Sequence, residues 1–178
     1  MNIHHKFIYK VRNFFHRLRE FYLGSSAAIG KISCKSELRA VHLRGGKVHR
    51  DLGVISRRVV TNAGVDFMAT EFFDGSVLIS VFNFHASGTG VAAENVTDTT
   101  LGTEVATRVA GAKTHPGVGL YRTIATIPYV AGFNITEHGI FSAAAAGTLW
   151  DRSVFAAIGV VNGDSIQFTY TLTIVAGG

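Results

Sequence analysis

Ile166-Gln-Phe-Thr-Tyr-Thr-Leu-Thr-Ile174 is the stretch that decides the fold. Ile166, Phe168, Tyr170, Leu172 and Ile174 fall on one side of an extended chain, and Gln167, Thr169, Thr171 and Thr173 fall on the other. A period of two sends successive side chains to opposite faces of a pleat, so the stretch predicts a strand with one face buried. Asn162-Gly-Asp164, just ahead of it, is turn chemistry, because Gly and Asn adopt positive φ at little cost. Working backwards, residues 148–155, 135–141 and 121–129 read as three more strands, with the small residues 143–147 joining two of them. Four consecutive strands with short turns describe an antiparallel β unit. Nothing in them points to chemistry.

Composition agrees with this reading. Hydrophobic residues make up 47 % of the 178 residues and charged ones only 16 %, the reverse of a disordered chain. Twenty glycines against two prolines, with abundant Thr, Val, Ile and Phe, favour strands joined by tight turns. A single cysteine, Cys34, excludes an intrachain disulfide. The net charge of +5 is unevenly spread. Residues 1–60 hold 13 Lys+Arg against 3 Asp+Glu, whereas residues 61–178 hold 4 against 9. A basic front and an acidic body can complement each other between copies or engage an acidic partner. No run of about 20 apolar residues offers a membrane span. Lys6, Lys10, Arg12, Arg17 and Arg19 interrupt any secretory h-region, so the reading predicts an intracellular product.

Upstream of the β unit, Phe7, Val11, Phe14, Phe15, Leu18 and Tyr22 recur at helical spacing and predict an amphipathic helix over 1–24. Its other face is basic, and Gly24 closes it. The candidate partner-binding residues are Lys6, Phe7, Lys10, Val11, Phe14, Arg17, Leu18 and Arg19. Three partners compete for that helix. An apolar face of its own domain or of a neighbouring subunit would take the aromatic stripe. Nucleic acid would take the cations, which neutralise phosphate whatever the base sequence. A membrane surface would take both.

Residues 25–35 read as a linker, and residues 36–178 as the folded domain. Residues 38–43 and 48–60 predict strands around a Gly45-Gly46 turn. Asn62 is placed to cap a short helix with Val65, Met68, Ala69 and Phe72 inward and Gly75 at its end. Residues 77–85 predict a central strand broken by Ser87-Gly-Thr-Gly90. Residues 91–100 predict a loop, 101–109 a Thr/Val-rich strand, and 113–119 another loop. About eight strands at regular spacing give a mainly β fold. The expected architecture is an antiparallel β-sandwich, jelly-roll-like, with an N-terminal amphipathic helix and one short internal helix.

The motifs that imitate chemistry fail on their partners. His49-Arg-Asp-Leu52 copies the opening of a kinase catalytic loop, but the metal-binding Asn would fall at Ser56 and no nucleotide loop exists. Ser87-Gly-Thr-Gly90 lacks the Gly-Lys-Ser/Thr of a phosphate-binding loop. Eight histidines show no structural zinc spacing. Glu137 and Asp151 could form a carboxylate pair for glycoside hydrolysis. A cross-strand ion pair of Glu137 with Arg152 is the preferred reading. No catalytic residue, cofactor or metal site is expected, and the chain is read as a non-enzyme.

From about Val48 onward, roughly three-quarters of the chain, the sequence resembles a family of small virion-associated proteins of tailed bacteriophages encoded beside capsid genes. The likeness is carried by Val59-Val-Thr-Asn-Ala-Gly-Val65, Phe84-His-Ala-Ser-Gly-Thr-Gly90 and Leu101-Gly-Thr-Glu-Val-Ala-Thr-Arg108. It continues in Tyr121-Arg-Thr-Ile-Ala-Thr126, Ile135-Thr-Glu-His-Gly-Ile-Phe141, residues 147–155 and Asn162-Gly-Asp-Ser165 with the strand after it. The resemblance implies a structural protein of the virion, assembled in the host cytoplasm. A head decoration or cement protein fits it best, with the major capsid protein or other virion proteins as partners and a homo-oligomeric state. The Thr-Glu-x-Gly-Ile-Phe segment also resembles tail-fibre and baseplate proteins, so a neck, tail or baseplate component is the alternative. A third reading, a carbohydrate-binding module, would use Tyr121, Tyr129 or Trp150 as its sugar platform.

Overall fold

The structure, a computed structural model, describes residues 33–57, 59–74 and 81–175. The helix expected over 1–24 and most of the expected linker lie outside them. Among the described residues, ten strands and one helix follow in order. They are β1 (Ser33–Arg44), β2 (Lys47–Ser56), β3 (Val59–Val60), α1 (Asn62–Asp74), β4 (Phe84–Gly88), β5 (Val109–Ala110), β6 (Ala112–Gly117), β7 (Leu120–Pro128), β8 (Phe133–Phe141), β9 (Leu149–Val160) and β10 (Asp164–Val175). One sheet has the order β2-β1-β10-β7-β6 and the other β3-β9-β8-β4-β5. Side chains from both sheets meet in one apolar cluster, among them Leu38, Ile127, Phe168 and Tyr170 from the first and Ile135, Ile140, Trp150 and Val160 from the second. The described chain is a mainly β, antiparallel sandwich with one short helix.

β10 behaves as its alternation requires as far as Leu172; Ile174, expected on the same face, is exposed at the strand's end. Ile166 pairs with Ile127, Phe168 with Ala125 and Leu172 with Tyr121, while Gln167 faces Thr126 and Thr169 faces Ile124. Ile166, Phe168, Tyr170 and Leu172 are buried, and burial of a large aliphatic or Phe side chain is worth about 1.5–3 kcal/mol. Gly163 takes φ +87° in the turn before it, the left-handed value that the Asn-Gly-Asp reading requires. The Gly45-Gly46 turn is likewise as expected, with φ +56° and +72° closing the β1–β2 hairpin.

Several expected boundaries move, each for a visible reason. β1 begins at Ser33, inside the expected linker, because it pairs with both β2 and β10. The strand expected over 101–109 shrinks to Val109–Ala110, since the backbone N–H groups of Gly102 and Thr103 donate to the Glu137 carboxylate rather than to a strand. β6 occupies most of the expected loop 113–119. It is an edge strand with a register shift between Thr114 and Gly117, the setting in which Pro116 is tolerated. Of the strand expected over 77–85 only the end is described, and pairing with β8 carries it on through Ser87 and Gly88. The cap of α1 is Thr61, not Asn62: its Oγ1 accepts from the Gly64 N–H at 3.1 Å and donates to the Leu149 carbonyl. Gly64 lies against Trp150, where a Cβ would meet the indole at 2.9 Å. The helix therefore turns Gly64 and Phe67 inward together with Met68, as expected of Met68, and leaves Val65 and Ala69 exposed where they were expected inward.

Candidate functional site

The chemistry-bearing residues gather on the second sheet, on both of its sides. Register separates the two. Glu137, Gly139 and Arg152 face outward, whereas His138, Ile140, Asp151 and Ser153 face the core. Trp150 breaks that alternation: Ile140 opposes Asp151 and Phe141 opposes Leu149, so Trp150 is the extra residue of a bulge. Glu137 and Asp151 are thus on opposite faces and cannot act as a carboxylate pair across one substrate.

On the outer side, the Glu137 carboxylate accepts from the backbone N–H groups of Gly90 (2.8 Å), Gly102 (2.9 Å) and Thr103 (2.8 Å). It also accepts from Arg152 Nε at 3.0 Å and Nη2 at 2.8 Å. Arg152 reaches on to Asp98 at 2.8 Å and to the Ala92 carbonyl. The expected Glu137–Arg152 pair therefore exists, and it is the hub of a loop. A Cβ at Gly88 or Gly90 would meet Glu137 Oε1 at 2.5 Å, so those glycines of the Ser-Gly-Thr-Gly segment let the backbone close on a carboxylate rather than on a phosphate. Burial pushes the Glu137 pKa up, but the N–H groups of Thr103 and Gly102, the Arg152 guanidinium and the Gly90 N–H outweigh it and hold it below the usual value. Alongside, Arg108 binds Glu104 through Nε (2.8 Å) and Nη2 (2.9 Å), donates to the Ala146 carbonyl and stacks 3.4 Å from the Phe141 ring centre.

On the inner side burial disfavours the charged form of each titratable group. His85 Nδ1 and His138 Nε2 lie 3.0 Å apart, and His85 Nε2 lies 3.1 Å from Thr123 Oγ1 on the opposite sheet. Both rings are wholly buried, and no protein group meets His138 Nδ1. Burial depresses both imidazoles, His85 to about 3, and the neighbouring His85 adds to the effect on His138. Asp151 has Ser153 Oγ at 3.3 Å and the Tyr170 hydroxyl at 3.5 Å, and Trp150 Nε1 donates to that hydroxyl at 2.8 Å. Burial pushes Asp151 up to about 7 against the weaker pull of Ser36, Ser153 and Tyr170. These groups are buried, and their contacts tie β4, β8 and β9 to β7 and β10 of the facing sheet.

The third cluster joins the sheet ends. Asp164 is buried and binds His42 Nε2, Arg44 Nε and Arg44 Nη2, each at 2.8 Å, and the Val161 N–H at 3.1 Å. Because Asp164 opens β10 while His42 and Arg44 end β1, these two strands run antiparallel. Sequence reasoning missed this cluster, whose members stand 120 and 122 residues apart. It also missed the His85–His138 pair, although His138 shares the inward phase of Ile140. The kinase-like His49-Arg-Asp-Leu52 is a piece of the β2 edge, where Asp51 pairs with Arg39 and accepts from the Gly53 N–H.

The expected partner-binding residues Lys6, Phe7, Lys10, Val11, Phe14, Arg17, Leu18 and Arg19 all lie outside the described residues. Tyr129 and Trp150 are buried, and Tyr121 is half-buried with its hydroxyl on the Phe82 carbonyl, so the carbohydrate alternative loses its expected platform. Among the described residues no group of three His, Cys, Asp or Glu is arranged to hold a metal ion, and no helix is long and apolar enough to cross a membrane. No family model, no curated protein and no solved structure matches this chain.

Proposed function

We propose that this chain is a non-enzymatic structural protein of a tailed-phage virion, a head decoration or cement protein that binds the capsid lattice through its sandwich and its basic N-terminal segment. The observation that carries the reading is that each cluster of polar chemistry is spent inside the fold. Glu137 and Asp98 are taken by Arg152, Glu104 by Arg108, and Asp164 by His42 and Arg44, while the His pair and Asp151 are sealed in the core. A frame of this kind supports adhesion rather than turnover. Many copies at weak sites on a lattice bind tightly through multivalency, with no reactive group needed. The jelly-roll-like description belongs to the same reading, since the chain changes sheets between β2 and β3, β5 and β6, β7 and β8, and β9 and β10. Quantitative mass spectrometry of purified particles tests it. A decoration protein is expected at copies on the order of hundreds per particle; about a dozen or fewer would move the assignment to a neck, tail or baseplate ring, and absence would end it.

A further inference from the structure

Positive charge left over after internal pairing is concentrated in the first two strands. Residues 33–57 carry six Lys+Arg against two Asp+Glu, and both acids are committed, Asp51 to Arg39 and Glu37 to Arg57. Among the described residues neither Lys47 nor Arg50 has an ion-pair partner. Five of the nine carboxyls in residues 61–178 are consumed or buried inside the fold, which reduces the acidic counterweight expected from the sequence.

The hairpin register then concentrates the cations. Arg44 stands directly opposite Lys47, Leu43 opposite Val48, and His42 opposite Arg50, so His49 is the extra residue of a bulge. Residues paired across a ladder share a face, so the bulge brings Arg50 onto the same face as Lys47 and Arg44 instead of the opposite one. Without it, alternation would scatter them. Like charges directly opposite destabilise a ladder. The one internal anion beneath them, Asp164, is buried and already saturated by Arg44, His42 and the Val161 N–H. Residues 44–51 are exposed throughout, at the edge of the sheet. Lys47 and Arg50, held beside an Arg44 whose own anion is already shared, have no internal counter-ion among the described residues and call for an external anion.

We propose that the end of the β1–β2 hairpin binds the phosphodiester backbone of nucleic acid through Lys47, Arg50 and the exposed part of Arg44. This inference goes beyond the virion reading and does not rest on it. A repeating phosphate fits a row of cations on the exposed end of an edge hairpin, without base readout. A lipid surface fits less well: the only large apolar side chain exposed there is Val48, with no Trp, Phe or Leu to enter an interface.

The test uses the full chain and fluorescence anisotropy of short labelled DNA, single- and double-stranded, over a salt series. Because the N-terminal segment is also basic, the variant must be confined to the hairpin. Lys47→Glu/Arg50→Glu is expected to weaken binding about tenfold or more and to lower the salt slope by about one for each cation lost. Its thermal midpoint should hold or rise, because the repulsion between Lys47 and Arg44 is relieved. Lys47→Gln, a neutral change at an exposed position, gives the same direction if the double variant misfolds. Unchanged affinity and slope in a folded variant, or no DNA binding by the parent chain, would overturn the proposal. So would loss of binding to phosphatidylglycerol vesicles with DNA binding intact.

Discussion

Glu137 and Asp151 are both wholly buried carboxyls on adjacent strands, yet their surroundings drive their charges apart. Glu137, on the outer side of β8, is held below its usual pKa; Asp151, on the inner side of β9, is pushed up to about 7. Depth does not separate them, since each has 0 % exposure. Donors do. Glu137 receives three backbone N–H groups and a guanidinium, so its charge is solvated by the protein itself. Asp151 faces hydroxyls and aromatic rings, which compensate a carboxylate poorly. One side of the sheet ties down a loop with charge, and the other fills a core with polar groups whose charged forms burial disfavours.

The largest expected effect tests the charged side. Glu137→Ala leaves the buried Arg152 guanidinium without its main anion and takes the acceptor from the Gly90, Gly102 and Thr103 N–H groups, which should cost about 3–5 kcal/mol in denaturant unfolding. Glu137→Gln, which keeps acceptors but no charge, should fall between the two. A loss below about 1 kcal/mol for the alanine variant would mean that the loop does not depend on the ion pair.

The neutral side predicts a pH dependence of opposite sign. Asp151 has a folded pKa of about 7 against an ordinary 3.8, so its folded state holds a proton that the unfolded chain releases. Its contribution is full below 3.8 and is lost as pH rises towards 7, about 4 kcal/mol over the window. Asp151→Asn removes the titrating group, so unfolding free energy measured across that range should lose this slope. An unchanged profile would place Asp151 in water contact and break the contrast with Glu137.

How much of this was legible follows from where the signals lie. The β10 alternation, the Gly45-Gly46 and Asn162-Gly163 turns and the Glu137–Arg152 pair are local or follow from strand neighbours, and all could be read. The strand expected at 101–109 failed because Gly102 and Thr103 found a side-chain acceptor 35 and 34 residues away. The two faces of Glu137 and Asp151 were hidden by the bulge at Trp150, which shifts the phase of β9 against β8. The cationic face of the hairpin was hidden in the same way by the bulge at His49. Alternation predicts faces only while the register holds, and here two bulges decide which side chains meet. The N-terminal stripe, the expected partner site, lies outside the described residues, so its role stays with the sequence.

The smallest expected effect concerns the imidazoles and acts in the opposite pH direction to Asp151. Burial holds His85 and His138 below the ordinary 6.5, so their contribution is present above that value and is lost as pH falls below it. Between 6.5 and 3.8 the two histidines outweigh Asp151 and stability should fall with acidification. His138→Gln keeps a group able to bond His85 Nδ1 but takes up no proton. At neutral pH it should cost about 1 kcal/mol, because the amide does not refill the imidazole's place against Phe168. Each pH unit below 6.5 costs the parent chain about 1.4 kcal/mol per titrating imidazole, so the two stability curves should cross about one unit into the acid range. Chemical denaturation at a series of pH values would show the crossing. Parallel curves would mean that the proton is taken up elsewhere, and that the inner side of the sheet is no more averse to charge than the outer.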